Sequence, residues 1–135
     1  MPEGVKILII DDDEDYRTST RALLEGEGYE VLEACNGRDG LTVAAEHRPD
    51  LIVLDVMMEN LNEGYSVVQA FKQLPQFRDQ EPIPILMASS VEVDPANLFG
   101  WIGDTSAITP DAYMTKPLKI PEFLARVRQL LERQA

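Results

Sequence analysis

Residues 5–15 read VKILIIDDDED, and the chain changes there from a mostly aliphatic run to five consecutive acidic residues. A short aliphatic run of this kind is typical of a β-strand that is buried on both faces of a sheet. The acidic residues 11–15 follow directly, where the strand is expected to end. Ligands of open α/β sheets bind at the carboxyl ends of the strands, so this stretch predicts a chemical site there.

The rest of the chain repeats the alternation of apolar runs with segments of helical period. We predict strands at residues 5–10, 29–34, 50–55, 85–88 and 111–115, and helices at residues 14–26, 38–47, 64–74 and 120–134. Residues 92–110 show no clear pattern. Five strands that alternate with five helices predict a single α/β domain, a doubly wound parallel (βα)5 sheet with right-handed crossovers.

The length, the net charge and the apolar runs of the chain argue against several classes of function. The 135 residues suffice for one domain with a substantial core. Lys and Arg number 12 and Asp and Glu 24, and the resulting net charge of -12 would repel a phosphate backbone, so we expect no direct binding to nucleic acid. The sequence has no apolar run near the ~20 residues of a membrane span and no leader, so we expect a cytoplasmic protein without membrane contact.

Polar side chains stand at four predicted strand ends. Asp11 and Asp12 follow the first strand, Asp55 ends the third, Ser89 follows the fourth and Lys116 the fifth. Each alone could be a helix cap, a turn residue or a surface charge. Together they should converge at one edge of the sheet, where carboxylate oxygens suit Mg²⁺ and a carboxylate can accept a phosphoryl group. The cation and the Lys116 ammonium would neutralise phosphoryl charge, while the Ser89 hydroxyl would donate a hydrogen bond.

Four ordered pieces of the sequence resemble the receiver domains of two-component response regulators. They are ILIIDDD at 7–13, PDLIVLDVMM at 49–58, PILMASS at 84–90 and YMTKPL at 113–118. The resemblance spans nearly the whole chain, in the right order and at roughly the right spacing. It implies a flavodoxin-like strand order, 2-1-3-4-5.

The resemblance also implies roles for the acidic residues. Asp55 corresponds to the phosphoacceptor. Asp12 corresponds to a direct ligand of Mg²⁺ and Asp11 to an indirect one, with the backbone carbonyl of Met57 completing the site around Asp55. Asp13 has no such role and is expected to cap the following helix.

Further roles concern the phosphoryl group and the switch. Ser89 corresponds to the hydroxyl residue that turns toward the phosphoryl group, Lys116 to the lysine that pairs with it, and Tyr113 to the aromatic switch residue. The resemblance implies that residues 1–135 are one receiver without an output domain, phosphorylated by a sensor histidine kinase or a phosphotransfer protein. It would signal to a downstream effector protein, and it would be no enzyme beyond supporting its own phosphorylation and dephosphorylation.

Three features depart from the family pattern. The loop between Asp55 and Gly64 is longer, and so is the segment between Ser89 and Lys116, which contains Trp101. Two apolar residues, Met57 and Val91, stand where family members border the path of the water that hydrolyses the phosphoaspartate. Neither side chain can orient water by a strong hydrogen bond, so we expect slow self-dephosphorylation.

Two alternatives stay open. A phosphohydrolase of the haloacid-dehalogenase type would use Asp11 and Asp13 as nucleophile and acid, but it needs an acidic pair after Lys116, where only Glu122 and Glu132 occur. A receiver-like interaction module that is never phosphorylated is favoured by the altered loops. The intact set of acidic, hydroxyl and ammonium groups opposes this second alternative.

Overall fold

The structure, a computed structural model, describes residues 4–56, 61–74, 77, 83–89, 112–115 and 119–132. These residues form five strands and four helices. In chain order they are β1 (Lys6–Ile10), α1 (Glu14–Gly26), β2 (Glu30–Ala34), α2 (Gly37–His47), β3 (Leu51–Val56), α3 (Leu61–Gln73), β4 (Ile85–Ser89), β5 (Ala112–Thr115) and α4 (Ile120–Glu132). The predicted alternation is confirmed for these elements, with α3 beginning at Leu61 rather than at Gly64. The predicted fifth helix would fall at residues 90–111, which lie outside the described ranges.

All four pairs of neighbouring strands are parallel, and the sheet order is β2-β1-β3-β4-β5. This confirms the predicted order. The register pairs Ile10 of β1 with Ala34 on one side and with Leu54 on the other. The carboxyl ends of β2, β1 and β3 therefore lie at one edge of the sheet, as the sequence predicts.

The sheet is covered on both faces, and its central strands β1 and β3 are aliphatic over Ile7–Ile10 and Leu51–Leu54. Along β1, Leu8 and Ile10 pack in the core beneath α2 and α3, whereas Ile7 and Ile9 pack in the core beneath α1 and α4. Helix α4 packs on the sheet through three buried residues, which are Phe123, Val127 and Leu130. Within the described part of the chain, no helix is long and apolar enough to cross a bilayer.

Helix α2 packs very closely on β1. A Cβ atom built on Gly40 would lie 2.4 Å from Cδ1 and 2.8 Å from Cγ1 of Ile10, the last residue of β1. Glycine allows this approach, because a side chain here would force either the buried Ile10 side chain or the helix to shift. This contact holds the strand end from which the acidic residues emerge.

Candidate functional site

The acidic loop after β1 contains three aspartates with three different surroundings. Asp11 is 3% exposed, and its Oδ1 accepts a hydrogen bond of 2.9 Å from the Asp13 N–H. Asp13 is the N-cap of α1 and accepts a bond of 3.1 Å from the Tyr16 N–H, as predicted. Asp12 lies between them with an exposed side chain. The loop thus presents one buried carboxylate, one exposed carboxylate that caps α1 and one further exposed carboxylate, Asp12, at the sheet edge.

Asp55 lies in β3 at the same level as Asp11. Asp11 follows Ile10 and Asp55 follows Leu54, and Ile10 and Leu54 are paired in the register of β1 and β3. Alternation along β3 puts Asp55 on the same sheet face as Leu51 and Val53, which packs against α1 and α4. Asp55 is 8% exposed, and one carboxylate oxygen of each aspartate is almost completely shielded from solvent. The structure therefore brings together two of the predicted site residues.

The strands beyond β3 continue this edge. Ser89 pairs with Val56 of β3 and with Thr115 of β5. Its backbone therefore lies one residue beyond Asp55, toward the carboxyl ends of the strands. Tyr113 pairs with Met87, which lies two residues before Ser89 in β4. The side chains of Ser89 and Tyr113, and all of Met57 and Lys116, lie outside the described residues. Their predicted roles stay predictions.

The donor set fits a hard divalent cation. Asp11 and Asp55 place two buried carboxylates on neighbouring strands, and like charges held together favour a bound cation. Mg²⁺ usually takes one or two carboxylates and completes its six positions with water and phosphate oxygens. Across the described ranges, no group of three or more His, Cys, Asp or Glu side chains is arranged as a metal site. A Mg²⁺ site that uses one or two carboxylates and otherwise water and phosphate oxygens does not require such a group.

Arg17 contacts the acidic loop, a role that no sequence pattern indicated. Its Nη1 donates a hydrogen bond of 2.7 Å to the main-chain carbonyl of Asp11, and its Nε lies 2.9 Å from Oε1 of Glu33. Arg21 donates to the other oxygen of Glu33. Arg17 stands one helical turn after Asp13, a spacing that places it near the loop, but the position of Glu33 depends on which strand lies beside β1.

These arginines set the charge state of Glu33. Burial alone would raise the pKa of Glu33, but hydrogen bonds from Arg21 and Arg17, together with their positive charges, hold that pKa below its ordinary value. Glu33 raises the pKa of Arg21 in turn, through a hydrogen bond that Glu25 reinforces. Glu33 is therefore ionised at neutral pH and keeps both guanidinium groups in place.

Comparison with known sequences agrees with this geometry. Residues 7–128 match the family described as the response regulator receiver domain. The response regulator MprA of Mycolicibacterium vanbaalenii is 42% identical over 130 residues, which are 96% of this chain and 51% of that protein. The alkaline phosphatase synthesis transcriptional regulatory protein PhoP of Bacillus subtilis is 38% identical over 128 residues, 95% of this chain and 49% of that protein. The chain spans about half the length of these curated relatives.

Solved structures share the fold. The chemotaxis protein CheY4 of Vibrio cholerae has a TM-score of 0.75 and 27% identity, covering 93% of this chain and 98% of that one. A CheY-like receiver domain protein from Methanospirillum hungatei has a TM-score of 0.77 and 26% identity, covering 96% of this chain and 95% of that one. Sequence, sheet order and strand-end chemistry agree: the chain belongs to the response regulator receiver domain family.

Proposed function

We propose that this domain is the phosphoacceptor switch of a two-component or phosphorelay system, and that Asp55 takes the phosphoryl group. One observation carries the proposal. Asp55 is a carboxylate only 8% exposed, level with a second buried carboxylate, Asp11, at the ligand-binding edge of the sheet. A buried pair of like charges is destabilising unless function or a cation compensates it, which separates this pair from ordinary cap or turn residues.

In the proposed reaction an oxygen of Asp55 attacks the phosphorus of the donor, and the bond between phosphorus and the donor's leaving atom breaks. Asp11, Asp12, Asp55 and the carbonyl oxygen of Met57 would hold Mg²⁺, which supplies positive charge between the carboxylate and the phosphoryl group when it is bound. Asp11 is suited to helping to hold Mg²⁺ because its carboxylate is already oriented by a hydrogen bond from the Asp13 N–H. Phosphoryl transfer asks mainly for such positioning and charge neutralisation.

Three further residues would respond to the phosphoryl group. The Lys116 ammonium would pair with a phosphoryl oxygen, and the Ser89 hydroxyl would donate a hydrogen bond to another. Turning of Ser89 and inward movement of the Tyr113 ring would carry the signal to the surface. The parallel pairing of β4 with β5 supports this coupling, since it joins the backbones of Ser89 and Thr115, the residue before Lys116.

The proposed partners are proteins. A sensor histidine kinase or a phosphotransfer protein would supply the phosphoryl group, and an effector protein would receive the signal. The net charge of -12 supports a domain that does not itself bind nucleic acid or an anionic membrane surface. We propose that residues 1–135 form one cytoplasmic receiver domain that catalyses nothing beyond its own phosphorylation and dephosphorylation.

Intact-mass analysis tests this proposal. The purified chain is incubated with acetyl phosphate and Mg²⁺, and we expect the mass to rise by one phosphoryl group. Asp55→Asn should abolish the increase, whereas Asp15→Asn, at an exposed position in the first turn of α1, should leave it unchanged. Steady hydrolysis of an unrelated phosphate ester would favour the hydrolase instead, and an inert protein would favour the interaction module.

A further inference from the structure

Arg17 connects three elements at the acidic end of the sheet. It belongs to α1, its Nη1 donates to the carbonyl of Asp11 after β1, and its Nε pairs with Glu33 in β2. The side chain is 17% exposed, so these bonds are shielded from competing water. A planar guanidinium can make both bonds at once because its donors point along fixed directions.

The bond from Arg17 completes the fixation of Asp11. The Asp11 N–H donates to the carbonyl of Ala34 at 3.0 Å, and the Asp11 carboxylate accepts from the Asp13 N–H at 2.9 Å. With Arg17 on the carbonyl, the amide, the carbonyl and the side chain of Asp11 are each bonded to a different residue. The peptide group that links Asp11 to Asp12 is therefore held at its oxygen by Arg17.

Glu33 in turn is held from two sides. Arg17 binds Oε1 and Arg21 binds Oε2, so the carboxylate cannot rotate without breaking an ion pair. Arg21 also pairs with Glu25 at 3.3 Å, and its described contacts are with these two glutamates. Arg17 and Arg21 thus share a helix and a partner, but they differ in the contact with Asp11.

We propose that Arg17, anchored by Glu33, is a positioning residue for the divalent cation, acting through the Asp11–Asp12 peptide group. This inference rests on the proposed function, because it assumes that Asp11 and Asp12 hold Mg²⁺. Groups that orient metal ligands without touching the metal commonly change its affinity by about 10 to 100-fold. Arg17 meets that description, since it bonds to the backbone carbonyl of a proposed ligand and not to its carboxylate.

The affinity for Mg²⁺ is the property to measure, because a purely structural role for Arg17 would leave it unchanged in the folded protein. The full chain, labelled with ¹⁵N, is titrated with Mg²⁺, and the amide signals of the acidic loop give the dissociation constant. We expect Arg17→Met to weaken binding about tenfold. Arg21→Met is the matched control, which also removes an ion pair to Glu33 and should change the constant less than about twofold.

Two further variants, Arg17→Lys and Glu33→Gln, test the same role of Arg17. Arg17→Lys keeps the charge but not the fork of donors, so we expect an affinity between those of the wild type and Arg17→Met. If Arg17→Met does not fold, Glu33→Gln decides, because it removes the anchor of Arg17 while leaving the arginine. That variant should bind Mg²⁺ more weakly than Arg21→Met.

The results separate this inference from the function on which it rests. A wild-type chain that neither binds Mg²⁺ nor accepts a phosphoryl group overturns both. Equal affinities of the wild type and Arg17→Met, or of Glu33→Gln and Arg21→Met when Arg17→Met is unfolded, overturn the role of Arg17 alone. An equally large loss in Arg21→Met also overturns it, since the loss would then follow from the charge of α1 rather than from the contact with Asp11.

Discussion

Asp11 and Asp55 directly follow the register partners Ile10 and Leu54, so two buried carboxylates stand at the same level on neighbouring parallel strands. Neighbouring strands are separated by about 4.8 Å, which keeps the two side chains close. Two carboxylates at such a separation oppose each other's ionisation unless positive charge is supplied. A cation bound at this edge of the sheet would therefore stabilise the two carboxylates.

Binding of Mg²⁺ should stabilise the folded state. At one hundred times its dissociation constant, a ligand bound only by the folded protein adds about 2.7 kcal/mol to the free energy of unfolding. We expect the melting temperature to rise with Mg²⁺, and Asp12→Ala to lose most of that rise. Asp15→Ala, at an exposed position on α1, serves as control and should respond like the wild type. A full response in Asp12→Ala would contradict the assignment of Asp12 as a ligand.

Gly40→Ala should destabilise the domain, because the new Cβ would lie 2.4 Å from Cδ1 of the buried Ile10. Overpacking of this kind typically costs about 1–3 kcal/mol. The matched control is Gly26→Ala at the end of α1, where a Cβ would meet no atom within 4 Å. Urea unfolding should show a loss for the first variant and none for the second. A Gly40→Ala variant as stable as the wild type would mean that α2 does not need this close approach.

The interaction of Glu33 with Arg17 and Arg21 should weaken in acid. The pKa of Glu33 is lowered in the folded state, because the arginine bonds outweigh the effect of burial. Its contribution to stability is fully present above the unfolded pKa of about 4.3 and is lost as the pH falls through the lowered folded pKa. Between pH ~5 and pH ~3 the free energy of unfolding should therefore fall more steeply in the wild type than in Glu33→Gln.

Glu30→Gln provides the control for that comparison, since Glu30 is an exposed residue of the same strand. Its pH dependence should follow that of the wild type. Parallel curves for the wild type and Glu33→Gln would show that the ion pairs of Glu33 do not contribute to stability.

The phosphorylated domain should lose its phosphoryl group slowly. Met57 and Val91 stand two residues after Asp55 and Ser89, and neither can orient water strongly. Both positions lie outside the described residues, so the prediction depends on the sequence. Replacing them together, as Met57→Asn with Val91→Gln, should shorten the lifetime measured by intact mass after removal of the phosphodonor. A short lifetime in the wild type, unchanged in this double variant, would refute the prediction.

The sheet could be predicted from the sequence because its central strands are aliphatic on both faces, a pattern typical of parallel strands covered by helices on both sides. Strands β1 and β3 are the clearest cases. The structure begins α3 at Leu61, three residues before the predicted start, because the helix tolerates Gly64 in its first turns despite the low helix propensity of glycine.

The site was predicted less completely than the fold. Asp11 and Asp55 could be identified because each ends an aliphatic strand, and the parallel sheet brings such ends together. The role of Arg17 could not, because it depends on the side-chain directions of Arg17 and Glu33, which the predicted sheet order does not specify. Residue spacing along one chain does not contain that information.

The position of the phosphoryl group on the chain tests the central claim most directly. The chain is phosphorylated with acetyl phosphate and Mg²⁺ and then treated with borohydride, which reduces an acyl phosphate to an alcohol, and its peptides are mapped by mass. We predict reduction of the side chain at Asp55 and at no other aspartate. Reduction at Asp11 or Asp13 with Asp55 intact would contradict the account.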